Sequence, residues 1–318
     1  MKDYSRREAL LKGAAAIGAA AIAPILPSGP LGAKSPESPL PRDPFRISLN
    51  TSTLRGFKLP LAEVIDIAGK AGYAGIEPWP DEIDRHLESG GTLKDAAKRL
   101  EDQGLAVTGA IAFHEWMVDD DSKRTRALED AKKRLHQIAE LRGTHMAAAP
   151  AGDVEKVDLL RAAERYRAFL DAAEPWGVVP AMEVWGFAKN AYRLGQCVLI
   201  ALEAQHPKAC VLPDVYHLHK GGSGLSGIRS LDPGLIGGFH LNDYPADPPR
   251  EKIRDSDRVY PGDGVAPLGQ LFRDLKAIGY EGAVSIELFN PVYWKGEPLA
   301  VARTALEKTR AVMRAAVG

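Results

Sequence analysis

Short apolar segments alternate with helix-like segments along most of this 318-residue chain, and no other feature constrains the fold as strongly. A run of about four to eight apolar residues is typical of a strand buried on both faces. The stretches between these runs carry apolar residues at helical spacing, and several end in glycine, which is preferred just beyond a helix C-terminus. The eight predicted strands are 46–53, 74–79, 107–113, 144–150, 179–185, 210–216, 236–243 and 283–289.

Eight strand-and-helix repeats predict an α/β fold of the (β/α)8 TIM barrel type, as a single domain over residues 45–318. Such barrels usually contain about 250 residues, and 45% hydrophobic composition supplies a large core. A doubly wound open sheet is the alternative architecture. Its dinucleotide-binding form needs a G-x-G-x-x-G turn opening the first helix, which this sequence lacks.

Residues 1–33 resemble a twin-arginine export signal. Arg6 and Arg7 precede an apolar run at 14–26 that is too short to span a bilayer comfortably. Residues 31–33, Leu-Gly-Ala, include small residues that offer a cleavage site, and residues 34–44 are predicted to form a disordered linker. We therefore expect a periplasmic protein with no stable membrane anchor after cleavage. Phosphorylated sugars are rare outside the cytoplasm, so we expect an unphosphorylated substrate.

The charge of the chain argues against nucleic acid as a partner. It has 41 basic and 42 acidic residues, a net charge of -1, and no basic run interleaved with aromatic residues. A small molecule is the expected partner, and homo-oligomerisation is left open. The two cysteines, Cys197 and Cys210, are predicted to be core residues.

Four consecutive predicted strands carry an ionisable residue at or near the C-terminal end: Glu183, Asp214, His240 and Glu287. In a parallel barrel these ends converge on the face that holds active sites. One such residue alone would fit an ion pair or a solvated strand end. Three carboxylates packed together repel one another unless a cation lies among them. The set suits one divalent metal ion, Mn²⁺ before Mg²⁺ or Co²⁺, with Zn²⁺ less favoured.

Several segments resemble the xylose-isomerase-like barrels of the sugar phosphate isomerase/epimerase family, and within it the keto-inositol (inosose) isomerases. These segments are AEPWGVVPAMEVWG, LPDVYHLH, FHLNDYP, DRVYPGDG and IGYEGAVSIELFNPVYW. The resemblance covers most of residues 46–316 and is densest after residue 173. It implies that Glu183, Asp214, His240 and Glu287 bind one divalent metal.

The same resemblance assigns further residues to substrate binding. His217 and Arg258 correspond to substrate contacts, and Glu77 corresponds to a pocket glutamate. His114 and Trp185 follow predicted strands at the productive end of the barrel, so we expect them to line the pocket, with core packing as the alternative. The loops around HEWMVDDD and PADPPREK depart from the family, which leaves the identity of the substrate open.

The predicted site suits proton transfer at the carbon next to a ketone. A carboxylate removes such a proton only if the enediolate is stabilised as it forms, which a metal ion does as a Lewis acid. Glu183 and Glu287 take the acid and base roles, in either order. We therefore predict a metal-dependent isomerase or epimerase of a keto-sugar or keto-inositol. A lyase or dehydratase that eliminates from a 3-keto-glycoside or inosose is the main alternative.

Other classes fit less well. A metallohydrolase of the endonuclease IV type would need more histidines for a multinuclear zinc cluster and a basic surface for DNA. A serine hydrolase would need a G-x-S-x-G elbow, which is absent. A non-catalytic sugar-binding protein has no need of three carboxylates around a metal.

Overall fold

A computed structural model describes residues 43–318 of the protein. The predicted export signal and residues 34–42 of the predicted linker lie outside the described residues. Each of the eight predicted strand segments overlaps one β-strand. The strands are β1 Arg46–Asn50, β2 Gly75–Glu77, β3 Ala106–Val107, β4 His145–Ala148, β5 Val179–Glu183, β6 Val211–Leu212, β7 Phe239–Leu241 and β8 Ala283–Ile286.

The strands form a closed parallel barrel. Regular ladders connect β3-β2-β1-β8-β7 in one group and β4-β5-β6 in another. A parallel bridge between Asp214 and His240 joins the segment after β6 to β7. Ala147 N of β4 donates to Ala110 O, after β3, at 2.9 Å, which closes the other gap. The predicted (β/α)8 barrel is confirmed.

Helices surround the barrel, and most begin or end where the sequence favours it. The side chains of Thr92, Asp120 and Asp158 accept backbone N–H groups at helix N-termini, and Gly72 ends a helix with φ 91°. Among the described residues the helices are α1 Leu61–Ala71, α2 Pro80–Glu88, α3 Leu93–Asp102, α4 Asp121–Glu140, α5 Leu159–Ala173, α6 Leu194–Glu203, α7 Val215–Gly221, α8 Leu268–Ala277 and α9 Pro298–Val317.

The strands are shorter than predicted because their C-terminal extensions leave the sheet to build the site. The sixth predicted strand was wrong beyond Leu212, since Val215–Gly221 is α7. The first was wrong beyond Asn50, where Thr51–Phe57 forms a 3-10 helix. Apolar residues in these two stretches are buried in helical turns, so burial alone did not distinguish them from strand.

The main core lies between the barrel and its helices, and a second apolar cluster fills the barrel interior. Cys210 belongs to the interior cluster with Ala181 and Leu212. Cys197 packs in the main core, and both thiols are free and buried, so their prediction as core residues is confirmed. No helix among residues 43–318 is long and apolar enough to cross a membrane.

Candidate metal centre and active site

The four ionisable side chains predicted at the strand ends converge on one buried point. Nδ1 of His240 lies 4.0 Å from Glu183 Oε1, 3.8 Å from Asp214 Oδ2 and 3.6 Å from Glu287 Oε2. Each of the four residues is at most 3% exposed. The structure therefore brings all four predicted ligands together.

The sequence after β6 explains how Asp214 reaches this point. Pro213 has no N–H to continue the ladder, and the chain turns directly into α7. Asp214 is the N-cap of that helix, and its Oδ1 accepts the backbone N–H of His217 at 2.7 Å. Its other oxygen, Oδ2, stays turned toward His240. The same turn places His217 beside the site.

Glu77 holds the opposite edge of the His240 ring. Its oxygens lie 3.0 and 3.1 Å from Nε2 of His240, and Asn50 Nδ2 donates to it at 2.9 Å. A carboxylate on Nε2 fixes the ring orientation and leaves Nδ1 facing the other carboxylates. Burial would raise the pKa of Glu77, but the charge and hydrogen bonds of His240 lower it. Glu77 thus supports His240 from inside the barrel.

Electrostatics in the cluster favour a bound cation. Burial, with the neighbouring carboxylates adding to it, raises the pKa of Glu183 to about 8 and that of Glu287 to about 7. Burial would lower the pKa of His240, yet Glu77 and Glu287 raise it well above its ordinary value. The crowded carboxylates therefore stabilise positive charge at their centre.

Arg258 is the second positive group at the site. Its Nη1 donates to Glu287 Oε2 at 2.6 Å and to Asp214 Oδ2 at 3.1 Å, and its Nη2 donates to Asp255 at 2.6 Å. Burial would raise the pKa of Asp214, but Arg258, with the nearby histidines, lowers it to about 2. Asp255 lies just beyond the PADPPREK segment of the loop after β7, whose sequence departs from the family.

Arg258 and His217 form one rigid unit beside the ligands. The guanidinium lies over the rings of Tyr216 at 4.4 Å and Phe289 at 5.1 Å, and its Nη2 is 3.1 Å from His217 Nε2. Burial lowers the pKa of His217 to about 4, so the neutral imidazole accepts from the guanidinium. Both predicted substrate contacts are therefore adjacent to the four-residue cluster.

The donor set fits a divalent metal. Asp214, His240 and Glu287 each offer a ligand atom, and these atoms lie within 4.8 Å of one another. His240 Nδ1 and Glu183 Oε2 are buried and have no hydrogen-bond partner among the described residues. Buried polar atoms are almost always paired, so these unpaired atoms in a cluster of three carboxylates indicate a missing positive partner. Carboxylate oxygens and one imidazole are ligands that Mn²⁺, Mg²⁺, Co²⁺ and Zn²⁺ accept.

His114 and Trp185, which were predicted from strand position alone, lie further from the His240 ring than the other predicted ligands. Trp185 stands at the rim, with its ring centroid 5.6 Å from Phe113 and 6.3 Å from Phe187. His114 is turned away from the metal ligands: its Nδ1 lies 3.4 Å from Asp130, and its ring packs edge-on against Phe169. His114 is 6% exposed, and with Asp130 it lines a cavity between the segments that follow β2 and β3, so it both packs against the core and borders that cavity.

Two asparagines at the site were missed by the sequence analysis. Asn50 ends β1 and also lies 3.3 Å from Glu287 Oε1. Asn242 follows β7, donates to Asp214 Oδ2 at 3.1 Å and accepts Tyr216 N at 2.9 Å. The strand-end rule that found the ionisable residues would have found both asparagines, had it been applied to amides.

The fold and these side chains define a (β/α)8 barrel with a buried carboxylate–histidine centre at its C-terminal face. The chain belongs to the xylose isomerase-like TIM barrel family, whose sequence model matches residues 65–312. Inosose isomerase of Bacillus licheniformis is 28% identical over 260 residues, which cover 78% of this chain and 91% of that protein. Fructoselysine 3-epimerase of Escherichia coli O157:H7 is 27% identical, covering 80% and 94%.

A third relative and two solved structures extend the comparison. The 3-dehydroshikimate dehydratase of Pseudomonas putida is 26% identical over 76% of this chain and 38% of its own length. The IolI protein, solved with a bound zinc atom, superposes with TM-score 0.79 at 24% identity, covering 86% of this chain and 100% of that chain. D-psicose 3-epimerase, solved in the presence of D-fructose, gives 0.70 at 20% identity, covering 85% and 99%. The named relatives are isomerases, epimerases and a dehydratase, and the two structures share this fold.

Proposed function

We propose that this protein is a divalent-metal-dependent isomerase or epimerase of an unphosphorylated keto-sugar or keto-inositol. The observation that carries the proposal is the buried cluster in which His240 Nδ1 faces Glu183, Asp214 and Glu287 with no partner of its own among the described residues. Relatives named inosose isomerase and fructoselysine 3-epimerase support the reaction class. The zinc in the IolI structure supports metal binding by a protein of this fold, and Mn²⁺ is the ion that the oxygen-rich set favours.

The residues of the chain divide the work of the reaction. Glu183, Asp214, His240 and Glu287 would hold the ion, which supplies Lewis-acid stabilisation of the developing negative charge. One of the two glutamates, Glu183 or Glu287, takes a proton from the carbon next to the ketone, and the other returns one. Glu183 ends β5 and Glu287 follows β8, so the two carboxylates reach the centre from strands that are not neighbours in the sheet.

Arg258 and His217 orient the substrate. The guanidinium is held at Glu287 and Asp214 and sandwiched between two rings, so it is rigid before the substrate arrives. A fixed donor next to the reacting carbons stabilises a developing enediolate without reorganisation. The whole cluster is buried, so these charge interactions act in an environment of low dielectric constant, where they are strong.

A lyase reaction is the second candidate, and one observation favours it. The 3-dehydroshikimate dehydratase of P. putida is among the relatives, and the match over 38% of its length favours elimination as the second reaction class. Loss of a β-substituent from the enediolate would replace the return of a proton. The pocket around the enediolate, rather than the metal ligands, decides between the two outcomes.

The test is solvent deuterium incorporation followed by NMR. Mn²⁺-loaded protein is incubated in D₂O with keto-inositols, ketohexoses and 3-keto-glycosides. Deuterium should enter beside the carbonyl of at least one compound, and Glu183→Gln or Glu287→Gln should abolish it, whereas the exposed control Glu281→Gln should not. The product distinguishes isomerase from lyase. Absence of exchange with every compound, in protein shown to contain metal, would refute the proposal.

We also propose that the protein acts in the periplasm. The support is the twin-arginine segment at 5–13, which lies outside the described residues. Periplasmic location would restrict the substrate to sugars that reach that compartment without phosphorylation.

A further inference from the structure

A cavity of about 330 Å³ lies beside the proposed metal centre, between the segments that follow β2 and β3. Trp79 and Phe113 line it together with charged residues, including Arg55, Asp84 and Arg134. The Arg55 guanidinium lies over the Trp79 ring at 4.6 Å, so Phe113 is the aromatic side chain with the free surface. The proposed proton transfer uses none of these side chains. The volume is at the lower end of the range of small-molecule pockets, which matches one ring rather than a whole ligand.

Trp79 connects this cavity to the metal centre. Its Nε1 donates to Asn50 Oδ1 at 2.8 Å, and the amide group of the same asparagine donates to Glu77. Its ring lies 5.8 Å from Phe289 and 5.9 Å from Phe113. Trp79, Phe113 and the Phe289 ring that covers Arg258 therefore form a continuous row of aromatic rings from the metal centre to the cavity.

The aromatic side of the cavity offers a flat apolar surface. Phe113 is 45% exposed, and among residues 43–318 it and Phe187 are the only aromatic residues in the set of exposed large hydrophobic residues. Both flank Trp185 at the rim of the site. Exposed apolar surface next to an active site marks a ligand contact, and the C–H face of a sugar ring is a suitable partner.

The charged side offers paired hydrogen-bonding groups. Arg55 bonds Asp81 through both guanidinium nitrogens at 3.1 and 3.0 Å, and Arg134 bonds Asp84 in the same way at 2.7 and 2.6 Å. Asp130, whose side chain is 59% exposed, lies 3.4 Å from Nδ1 of His114, which also lines the cavity. Two arginines against three aspartates repel an anionic ligand, whereas neutral hydroxyl groups can both donate and accept here.

We propose that this cavity is a second subsite, which binds a neutral hydroxylated ring joined to the reacting keto ring. The substrate is then a two-ring keto-glycoside rather than a free monosaccharide or cyclitol. The assignment of the reacting ring rests on the proposed function. Binding of the second ring depends only on the aromatic and charged walls.

Binding of unreactive sugars tests the subsite without turnover. The full-length Mn²⁺-loaded protein is titrated with myo-inositol and with lactose, cellobiose, sucrose and trehalose by calorimetry or ligand-observed NMR. At least one disaccharide should bind more tightly than myo-inositol. Phe113→Ala should lower the affinity for that disaccharide about 3- to 10-fold, which is the contribution of one stacked ring, and leave the affinity for myo-inositol unchanged.

Two further variants separate the subsite from nonspecific effects. Asp130→Asn removes a charge from the lining of the cavity. It should lower the affinity for the disaccharide but not for phenyl glucoside, whose second ring has no hydroxyl groups. Leu202→Ala, at an exposed position of α6, should change neither affinity. Equal binding of one-ring and two-ring sugars in the native protein would overturn the proposal, as would an unchanged disaccharide affinity in Phe113→Ala.

A turnover measurement distinguishes this proposal from the proposed function. If 3-ketolactose exchanges deuterium more efficiently than 3-ketoglucose, and Phe113→Ala removes the difference, both proposals are supported. If disaccharides bind as predicted but no keto compound exchanges, the proposed function fails and the subsite stands. If 3-ketoglucose exchanges as efficiently as 3-ketolactose, the proposed function stands and the subsite fails.

Discussion

The residues around the proposed metal are of two kinds. Some would bind the ion directly, and others would hold the binding side chains in the correct orientation. Glu77 belongs to the second group, because its carboxylate meets the far edge of the His240 ring. The sequence predicted Glu77 only as a pocket glutamate, and the structure shows that its partner is the His240 ring. Its effect on the reaction would be exerted through the geometry of His240.

Replacement of Glu77 by glutamine should lower the affinity for Mn²⁺ about 10- to 100-fold, the usual cost of losing the partner of a metal-bound histidine. The amide can still contact Nε2 but carries no charge, so the ring is less basic and less well oriented. Calorimetric titration measures the effect. Glu82→Gln is the matched control, since Glu82 is also buried but bonds Thr51 and Trp79 rather than His240. Native-like Mn²⁺ affinity in Glu77→Gln would contradict the assignment.

His114 should make the stability of the fold depend on pH. Burial lowers its pKa, with Asp130 opposing, whereas in the unfolded chain it titrates near its ordinary value of about 6.5. Below that pH the unfolded chain binds a proton that the native protein refuses, so stability falls as the pH decreases from 7 toward 5. Urea unfolding should show a smaller loss over this interval in His114→Gln than in the native protein. The exposed His136→Gln is the control, and equal losses in all three proteins would rule out this role.

At the scale of elements, the site is built by the C-terminal ends of the strands rather than by their central residues. β3 and β6 are short, and the segments beyond them carry the backbone close to the site. Residue 109, after β3, must be glycine because the backbone there lies against the side chain of Glu77. A Cβ at this position would lie 2.6 Å from Oε1 of Glu77. That oxygen cannot move freely because Glu77 is bonded to His240 and Asn50.

Gly109→Ala should therefore destabilise the fold by about 1–3 kcal/mol, as overpacking does in well-packed sites, and should also weaken Mn²⁺ binding by displacing Glu77. Gly195→Ala is the control, because nothing lies within 4 Å of a Cβ at that helical position and alanine should be neutral or slightly stabilising. Chemical denaturation and calorimetry measure the two effects. The assignment fails if the two variants behave alike.

These elements also show what could be learned from the sequence. The eight strand positions and the four ionisable strand ends were visible because both depend on local patterns of apolar and charged residues. Asp214 was found, yet the helix that it caps was not, because VYHL has apolar residues that suit a strand and a buried helical turn equally. The pairing of Glu77 with His240 joins residues 163 positions apart, and no local pattern encodes such a contact.

At the scale of the whole molecule, the proposed export signal would determine which compartment, and so which sugars, the protein meets. Replacement of both Arg6 and Arg7 by lysine should retain the protein in the cytoplasm, because the twin-arginine route depends on that pair. Cell fractionation with immunodetection measures the distribution, and Lys12→Arg should be exported normally. Unchanged export of the double variant would show that another route carries the protein.

Every role proposed for the site depends on the binding of a single divalent ion at the buried ends of β5 to β8. Anomalous diffraction from crystals grown with Mn²⁺ tests it directly. We expect one strong peak per chain, within bonding distance of Glu183, Asp214, His240 Nδ1 and Glu287. A peak elsewhere, a peak bound through His240 Nε2, or no peak at saturating Mn²⁺ would contradict the claim.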